Sequence, residues 1–246
     1  LGGYYTGIKG WEFSVEGYYK DMYNVLEYKE GVSFFGSSSG WENKVEMGKG
    51  RSAGIEFMAQ KTAGKTTGWL SYTLSKSDRK FTKGGINNGE WFPYKYDRRH
   101  NINLTINHKF SDRIDIGASW VFYTGGTSTI PEEKTTVIRP HNGANNGFLW
   151  YGTYDNTNSS PTIGDVSYIE HRNNFRLPAS HRLNLGVNFN KKTKHGMRTW
   201  NISLYNAYNA MNPAWVYRGH NKQGLSVIKK YTLLPLIPSF TYTYKF

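Results

Sequence analysis

The chain ends on the alternating stretch "SFTYTYKF", Ser239–Phe246. Because successive side chains of a β-strand point to opposite faces, this spacing predicts a strand with one aromatic and one polar face. Chain termini are usually polar and loose, whereas this one finishes on an aromatic residue. We therefore predict that the last strand is held in a sheet. Its aromatic face consists of Phe240, Tyr242, Tyr244 and Phe246.

The same two-residue period recurs along the chain. Apolar and polar residues alternate in "WEFSVEGYYK" (11–20), "GIEFMAQ" (54–60), "GWLSYTLSKS" (68–77), "HNINLTINHKF" (100–110), "IDIGASWVF" (114–122), "RLNLGVNFN" (182–190) and "TWNISLYNAY" (199–208). A weaker segment, Met22–Glu30, fits the same pattern. No stretch of the sequence has the 3.6-residue period of a helix. The sequence therefore predicts an all-β fold with about nine antiparallel strands.

The composition narrows the class of all-β protein. Only 37% of the residues are hydrophobic, yet 16% are aromatic. No run approaches the ~20 apolar residues of a membrane-spanning helix. The chain is thus either a soluble β-protein or a membrane β-barrel, in which apolar and polar residues alternate. The absence of cysteine excludes disulfides and thiolate metal sites. The opening "LGGYYTGIKG" lacks a signal peptide and reads as a chain entered in mid-course, so we expect a fragment.

The net charge of +13 raises the question of an anionic partner. The basic residues are scattered through predicted turns, as in "KTAGKT" (61–66), "YDRRH" (96–100) and "KKTKHGMR" (191–198). They form no stripe with interleaved aromatic residues, so nucleic-acid binding is not expected. Solvated loops are the favoured interpretation. Contact with an anionic lipid or an anionic ligand is the alternative.

The predicted connections alternate in length. Short turns are predicted at Lys20–Asp21, Lys61–Thr66, Ser111–Arg113 and Lys191–Arg198, and long polar loops at Gly31–Gly50, Asp78–Asp97, Gly125–Ser180 and Asn209–Pro235. Outer-membrane barrels have this asymmetry, with short periplasmic turns and long extracellular loops. A strand of ~10 residues tilted by ~40° spans about 25 Å, which is the height of their apolar band. The pattern favours a membrane barrel.

Five stretches together resemble the C-terminal barrel region of the TonB-dependent outer-membrane transporters. They are "GRSAGIEFMAQKTAGKTTGWLSYTLSKS" (50–77), "YDRRHNINLTINHKF" (96–110), "PASHRLNLGVNF" (178–189), "WNISLYNAYNAMNP" (200–213) and "LPLIPSFTYTYKF" (234–246). The resemblance covers nearly the whole chain, and the order and spacing of the stretches carry it. The segment "GYYKDMYN" (17–24) resembles segments in receptors of Bacteroidetes-type bacteria.

The resemblance implies the C-terminal part of a β-barrel of about 22 strands in the bacterial outer membrane. The plug domain, the TonB contact and the remaining strands are expected upstream, and residues 1–246 supply wall and extracellular loops. The implied function is active uptake of a scarce nutrient. The implied partners are outer-membrane lipid and lipopolysaccharide, the nutrient itself, TonB, the barrel assembly machinery and, as an option in such bacteria, a surface lipoprotein. The assembly machinery is expected to read the C-terminal signal Phe240, Tyr242, Tyr244 and Phe246. No cofactor is expected.

Catalytic and ligand-binding residues are harder to identify. No two of the seven histidines have metal-ligand spacing beside a carboxylate, and no Ser, His and acid set is apparent, so we predict no catalytic or metal site. His100 and His181 stand at equivalent strand entries and are predicted rim residues. A passive channel, an outer-membrane barrel enzyme and an adhesin-like soluble protein remain alternatives. Ligand contacts to a sugar, peptide, haem or chelate are predicted for the loop residues Trp91, Tyr94, Trp150, Tyr151, Trp215 and Arg218.

Overall fold

The computed structural model describes residues 1–29, 40–83, 85–139 and 162–246. Within these ranges the chain is all-β, as predicted, and has no α-helix. Two short 3-10 helices are Trp41–Lys44 and Ile86–Gly89. The strands are β1 (Gly2–Tyr5), β2 (Trp11–Tyr28), β3 (Val45–Lys61), β4 (Thr66–Lys80), β5 (Phe92–Pro93), β6 (His100–Lys109), β7 (Ile114–Tyr123), β8 (Thr127–Ser128), β9 (Glu133–Arg139), β10 (Thr162–Tyr168), β11 (Phe175–Arg176), β12 (Ser180–Thr193), β13 (Gly196–Tyr205), β14 (Pro213–His220), β15 (Ser226–Thr232) and β16 (Ile237–Lys245).

One large antiparallel sheet organises the molecule. Its strands follow the order β1-β2-β3-β4-β6-β7-β12-β13-β16, and β5 pairs with the end of β4. Each strand on this path pairs with the next path strand along the chain, so the sheet is a meander. In the described part of the chain β1 and β16 are its two edges, and the sheet does not close into a barrel. No helix among the described residues has the length and apolarity to cross a membrane.

The pairing register confirms the predicted two-faced alternation. Phe57 lies opposite Tyr72, which in turn lies opposite Ile102, and the row continues to Phe122. Because facing residues in adjacent strands project from the same side, such rows define one apolar face across the sheet. Further rows of this face join Ala59, Leu70, Leu104, Trp120 and Leu183, and join Ile116, Val187, Ile202 and Phe240. We call this side the apolar face and the opposite side the polar face.

The predicted turn at Lys20–Asp21 is wrong. Strand β2 runs without interruption through both residues, which lie opposite Ser52 and Arg51 of β3. The segment from Met22 onward is therefore the second half of β2 rather than a separate strand. The only irregularity is a bulge at Asn24, whose φ of 57° is left-handed. Strand β1, which the sequence pattern did not reveal, supplies the missing partner on the other side of β2.

Short and long connections nevertheless alternate strictly. The short ones join β1 to β2, β3 to β4, β6 to β7 and β12 to β13, and the last consists only of Lys194 and His195. All of them lie at one end of the meander, which we call the short-turn end; the long connections leave from the opposite, long-loop end. In the turn after β6, Lys109 Nζ lies 2.8 Å from the Asp112 carboxylate. This hydrogen bond lowers the pKa of the exposed Asp112 carboxyl.

Described parts of the long connections form paired strands where the sequence predicted polar loops. Strands β14 and β15 form a hairpin between β13 and β16, β9 pairs with β10, and β8 pairs with β11. Strand β3 also begins at Val45, inside the predicted loop Gly31–Gly50. Among the described residues, the buried hydrophobic side chains are Phe81, Ile86, Phe92 and Ile130. All four belong to the long-loop segments, so the only apolar core described lies at that end.

Candidate ligand-binding surface at the long-loop end

The polar face of the sheet is a hydrogen-bonded network of amides and hydroxyls. The Asp115 carboxylate on β7 accepts the side-chain amides of Asn188 at 2.7 Å and of Asn190 at 2.8 Å, both on β12. The oxygens of those two amides then accept Asn201 and Thr199 of β13, each at 2.7 Å. Because each member satisfies the next, the network holds three strands in register and leaves a polar, wettable surface.

At the long-loop end, a buried carboxylate joins three segments. Asp97, only 1% exposed, accepts the backbone N–H of Ser77 at 2.7 Å and Arg99 Nε at 3.0 Å. The carboxylate also accepts a hydrogen bond from Nη2 of Arg176 in β11. Nη1 of the same arginine donates to the backbone carbonyls of Asp97 at 2.7 Å and Gly125 at 2.9 Å. Two arginines therefore compensate one buried charge, and the β4–β6 and β7–β12 connections are fixed to each other.

Residues 172–174 attach the same β7–β12 connection to its neighbours. The Asn173 amide donates to the Pro93 carbonyl at 2.7 Å. The Asn174 side chain pairs with both backbone groups of Ile130, each at 2.9 Å. The Arg172 guanidinium lies 3.0 Å from the Glu27 carboxylate near the end of β2. Neighbouring loops thus form one continuous platform above the sheet rather than separate flexible segments.

A cleft lies beside this platform, under the β14–β15 hairpin. Its volume is about 420 Å³, and its lining includes Arg218 from the predicted set, with Glu132, Asn174 and Ser226. Arg218 Nε donates to the Ser226 hydroxyl at 2.6 Å, and Nη1 donates to the Pro131 carbonyl at 3.3 Å. The guanidinium is therefore positioned from both sides. The cleft can present a fixed cation and polar groups to a ligand of small-molecule size.

The other predicted ligand residues do not gather around that cleft. Trp91 stacks on the Arg51 guanidinium, 4.3 Å from its ring, and lines a different cleft. Tyr94 packs under Arg79 at 4.2 Å. Trp215 stacks on Tyr231 within its own hairpin, with ring centroids 4.3 Å apart. Their roles in ligand binding stay predictions, as do those of Trp150 and Tyr151, which lie outside the described residues.

The two histidines predicted at the rim have matching environments. His100 and His181 each lie at or next to the start of a strand at the long-loop end. The Nδ1 atom of His100 is 2.9 Å from the Tyr72 hydroxyl, and that of His181 is 2.8 Å from the Tyr208 hydroxyl. Among the described residues, no three His, Asp or Glu side chains are grouped closely enough to hold a metal ion.

The C-terminal aromatic residues lie on the apolar face of an edge strand. Phe240, Tyr242 and Tyr244 are all exposed. Trp200 of β13 stacks on Phe240 and contacts Tyr242 in a tilted arrangement. Phe246 itself follows the last residue of β16 and is fully exposed. The chain end nevertheless lies close to the start of β13. The approach is so tight that a Cβ atom at Gly196 would lie only 1.9 Å from the Lys245 carbonyl oxygen.

Sequence reasoning missed the residues that build the platform. Asp97, Arg176 and Asn173 belong to the long connections, where no period marks them, and they meet partners 79 or 80 residues away along the chain. Alternation in "IDIGASWVF" (114–122) places Asp115 on the polar face, but its role as the acceptor for two amides depends on register, which alternation alone does not give. Comparisons with known proteins add no identity: no protein-family model matches the chain, and no curated protein matches it.

Proposed function

We propose that this chain forms part of the wall and the extracellular loops of a TonB-dependent transporter in the bacterial outer membrane. The nine meandering strands would belong to a barrel of about 22 strands. The apolar face would contact lipid, and the polar face would line the water-filled interior around a plug. The short-turn end would face the periplasm and the long-loop end the cell exterior.

The observation that carries the proposal is the exposed apolar face. Phe57 is 48% exposed, Leu70 44% and Ile202 50%, although each lies on a strand that is paired on both sides. In a soluble β-protein such a face would be covered by a second layer, which gains ~25 cal/mol for each Å² buried. No second sheet covers it in the described part of the chain, where the buried hydrophobic residues all lie at the long-loop end. Lipid is the partner that suits a continuous face of this chemistry.

The polar face supports the same orientation. Placing a charged carboxylate such as that of Asp115 against hydrocarbon would cost free energy. On the polar face, Asp115 instead accepts hydrogen bonds from two side-chain amides. Satisfied amide networks of this kind suit a wet interior. In outer-membrane barrels, apolar and polar residues alternate in this way along every strand.

Ligand recognition is assigned to the long-loop end. The cleft with Arg218 offers a positioned cation, the Asn174 amide and the apolar ring of Phe175 within about 420 Å³. The Glu132 carboxylate also lines the cleft, where it accepts the Asn174 amide at 2.9 Å. The Arg218 guanidinium would bind a carboxylate or another anionic group of a nutrient. This chemistry leaves sugar acids, peptides, haem and anionic chelates as candidate classes.

Uptake in the presence and absence of TonB tests the proposal. The full-length protein would be expressed in a Gram-negative host with and without a functional TonB system, and the uptake of a panel of labelled nutrients measured. We expect uptake of at least one anionic nutrient, lost when TonB is inactivated. Uptake that persists without TonB would identify a passive channel instead, and conversion of the nutrient at the cell surface would identify a barrel enzyme.

A matched pair of variants locates the ligand site. Arg218→Ala removes the cation that lines the cleft, whereas Arg198→Ala removes one at the short-turn end of β13. We expect the first substitution to weaken nutrient binding roughly tenfold or more, because charge-assisted hydrogen bonds are the strong ones in such sites. The second should leave binding unchanged. Equal effects would remove the cleft from the proposal.

A further inference from the structure

Charged side chains of β3 and β4 form two neighbouring rows on the apolar-face side, near the long-loop end. The cations of one row pair with a carboxylate, and, among the described residues, those of the other do not. In the first row, Arg51 of β3 lies opposite Asp78 of β4, and their side chains pair at 3.1 Å. Lys76 adds a second contact to the same carboxylate at 3.4 Å. Asp78 is 4% exposed, so the carboxylate of this row is buried and paired, whereas the Arg51 side chain is 41% exposed.

The next row outward contains only cations, and no carboxylate pairs with them in the described part of the chain. Lys49 lies directly opposite Lys80, and like charges in facing positions destabilise a sheet. Lys29 and Lys83 line the same cleft, which has a volume of about 780 Å³. Within the described residues, none of these four ammonium groups pairs with a carboxylate. We call this group, Lys29, Lys49, Lys80 and Lys83, the lysine cleft.

One carboxylate, that of Glu46, also lines the cleft, and its negative charge would oppose the binding of an anion. Glu46 is 7% exposed, and its Oε1 accepts the backbone N–H of Lys83 at 2.8 Å. It thereby holds the residue 83 segment against β3 and offsets one of the four positive charges. Of the other ammonium groups, Lys49 sits 5.7 Å above the Tyr23 ring and Lys29 donates to the Asn43 carbonyl. The cleft remains net cationic.

The position of the cleft indicates where its anion comes from. Register along β3 is unbroken from Lys61 to Lys49, so Lys49 projects from the same face as Phe57. Ala53 is the last small apolar residue of that face on β3, and Lys49 lies four residues beyond it. At ~3.3 Å for each residue and a tilt of ~40°, the difference in height is about 10 Å. That step leads from the hydrocarbon edge into the lipid headgroup layer.

Aromatic side chains mark the same level. Tyr19 is 65% exposed between the apolar rows and the charged ones. Trp91 stacks on Arg51 of the compensated row and also lines the cleft that contains the uncompensated lysines. Tyrosine and tryptophan favour such boundaries because one part of the ring system is apolar and another forms hydrogen bonds in water.

From this placement we propose that the lysine cleft binds the phosphate of a phosphorylated lipid headgroup in the outer leaflet. The inference rests on the membrane orientation given under Proposed function and adds a specific lipid site to it. A phosphate oxyanion would lie between Lys49 and Lys80 and relieve their mutual repulsion. Lys83 and Lys29 would contact the same headgroup from the loop side, and the acyl chains would run down the apolar face past Tyr19.

Binding of matched lipids to the full-length protein in detergent tests this site. The probes are a lipid A type disaccharide with phosphate groups, the same lipid after enzymatic dephosphorylation, and inorganic phosphate as competitor. Native mass spectrometry measures the bound fraction. We expect the phosphorylated lipid to bind at least tenfold more tightly than its dephosphorylated form. The double variant Lys49→Gln/Lys80→Gln should lose roughly 10- to 30-fold in affinity for the phosphorylated lipid.

The control variant Lys222→Gln/Lys229→Gln removes the same charge from the β14–β15 hairpin and should bind like the wild type. Equal binding of the two lipids, or unchanged binding by the Lys49→Gln/Lys80→Gln variant, would overturn the proposal. Displacement of the lipid by inorganic phosphate at equal concentration would overturn the assignment to a lipid. Heat-modifiable mobility is recorded for every variant. If the wild type itself forms no folded membrane barrel, the proposed function fails; if it folds without distinguishing the lipids, only this inference fails.

Discussion

Arg176 and Asp97, which are 79 residues apart in the chain, form an ion pair at the long-loop end of the sheet. The same arginine also donates to the Gly125 carbonyl. One side chain therefore joins the start of the β7–β12 connection to its last part and fixes both to Asp97. Because the carboxylate is 1% exposed, its charge depends on these partners for compensation.

Removing this arginine should loosen the β7–β12 connection without unfolding the sheet. In Arg176→Ala, Asp97 keeps Arg99 and the Ser77 N–H, so we expect a loss of ~2 kcal/mol in the free energy of local opening. Proteolysis between residues 125 and 180 should become roughly 30-fold faster. Limited proteolysis of the purified protein in detergent, followed by mass spectrometry, measures it. Arg198→Ala is the control, and equal cleavage rates for both variants would show that the pair does not anchor the connection.

The two faces of the sheet should respond oppositely to a new charge. Leu104 of β6 projects from the apolar face, and its neighbour Asn103 from the polar face. Leu104→Arg should reduce the yield of folded protein in lipid vesicles, since a cation at mid-bilayer costs ~2 to 4 kcal/mol. Asn103→Arg loses only long hydrogen bonds, at 3.4 and 3.5 Å, and should fold nearly normally. Equal losses at both positions would refute the assignment of lipid to the apolar face.

Leu185 and Asn184 of β12 form a less balanced pair for the same test. Leu185→Arg should resemble Leu104→Arg, because Leu185 lies opposite Ala118 on the apolar face. Asn184, however, accepts the backbone N–H of Asn206 at 3.1 Å, and Asn206 is 1% exposed. A substitution there would leave a buried donor without its partner. Asn103 is therefore the cleaner control.

The sequence pattern succeeded where one face of a strand is uniformly apolar. Alternation around Leu104 or Leu185 requires a two-faced strand, and the register confirms it. The pattern failed at Lys20–Asp21, because that half of β2 extends beyond the apolar rows. There both faces carry polar residues, so the periodic signal weakens while the backbone pairing continues. A polar dipeptide inside a strand then resembles a turn.

The candidate site was less predictable for a related reason. Trp91 and Arg218 are predicted ligand contacts because they are an aromatic and a cationic loop residue, yet they line different clefts. Loop residues have no period that assigns them to a face, and their partners are set by tertiary contacts across long stretches of sequence. The pairing of Arg176 with Asp97 belongs to this class. A local pattern contains no information about it.

Topology gives a prediction that intact cells can test. If the long-loop end is outside, an added protease should cut the β7–β12 connection, Gly125–Ser180, in intact cells. The two-residue turn Lys194–His195 should be protected until the outer membrane is opened. Mass spectrometry of the released peptides distinguishes the two sites. Cleavage of Lys194–His195 in intact cells, with the long connection protected, would reverse the proposed orientation.

The C-terminal residue provides the last prediction. Phe246 lies just beyond the final register pair, Lys245 with Met197, so deleting it removes no ladder pairing. What it removes is an exposed aromatic ring at the short-turn end, next to Tyr244 with ring centroids 6.4 Å apart. We expect the deletion to lower the amount of folded protein in the outer membrane while synthesis continues. The cause would be lost recognition by the assembly machinery rather than lost strand pairing.

Conservative variants separate recognition of Phe246 from a general loss of stability. Phe246→Tyr and Phe246→Trp keep an aromatic ring at the interface and should assemble nearly normally. Lys245→Thr changes the polar face and should be milder still. Because β16 is an exposed edge that needs a partner strand, protein that fails to assemble should aggregate. Heat-modifiable mobility in outer-membrane fractions measures assembly, and normal assembly after deletion of Phe246 would show that the terminal ring is a frayed end without a role in insertion.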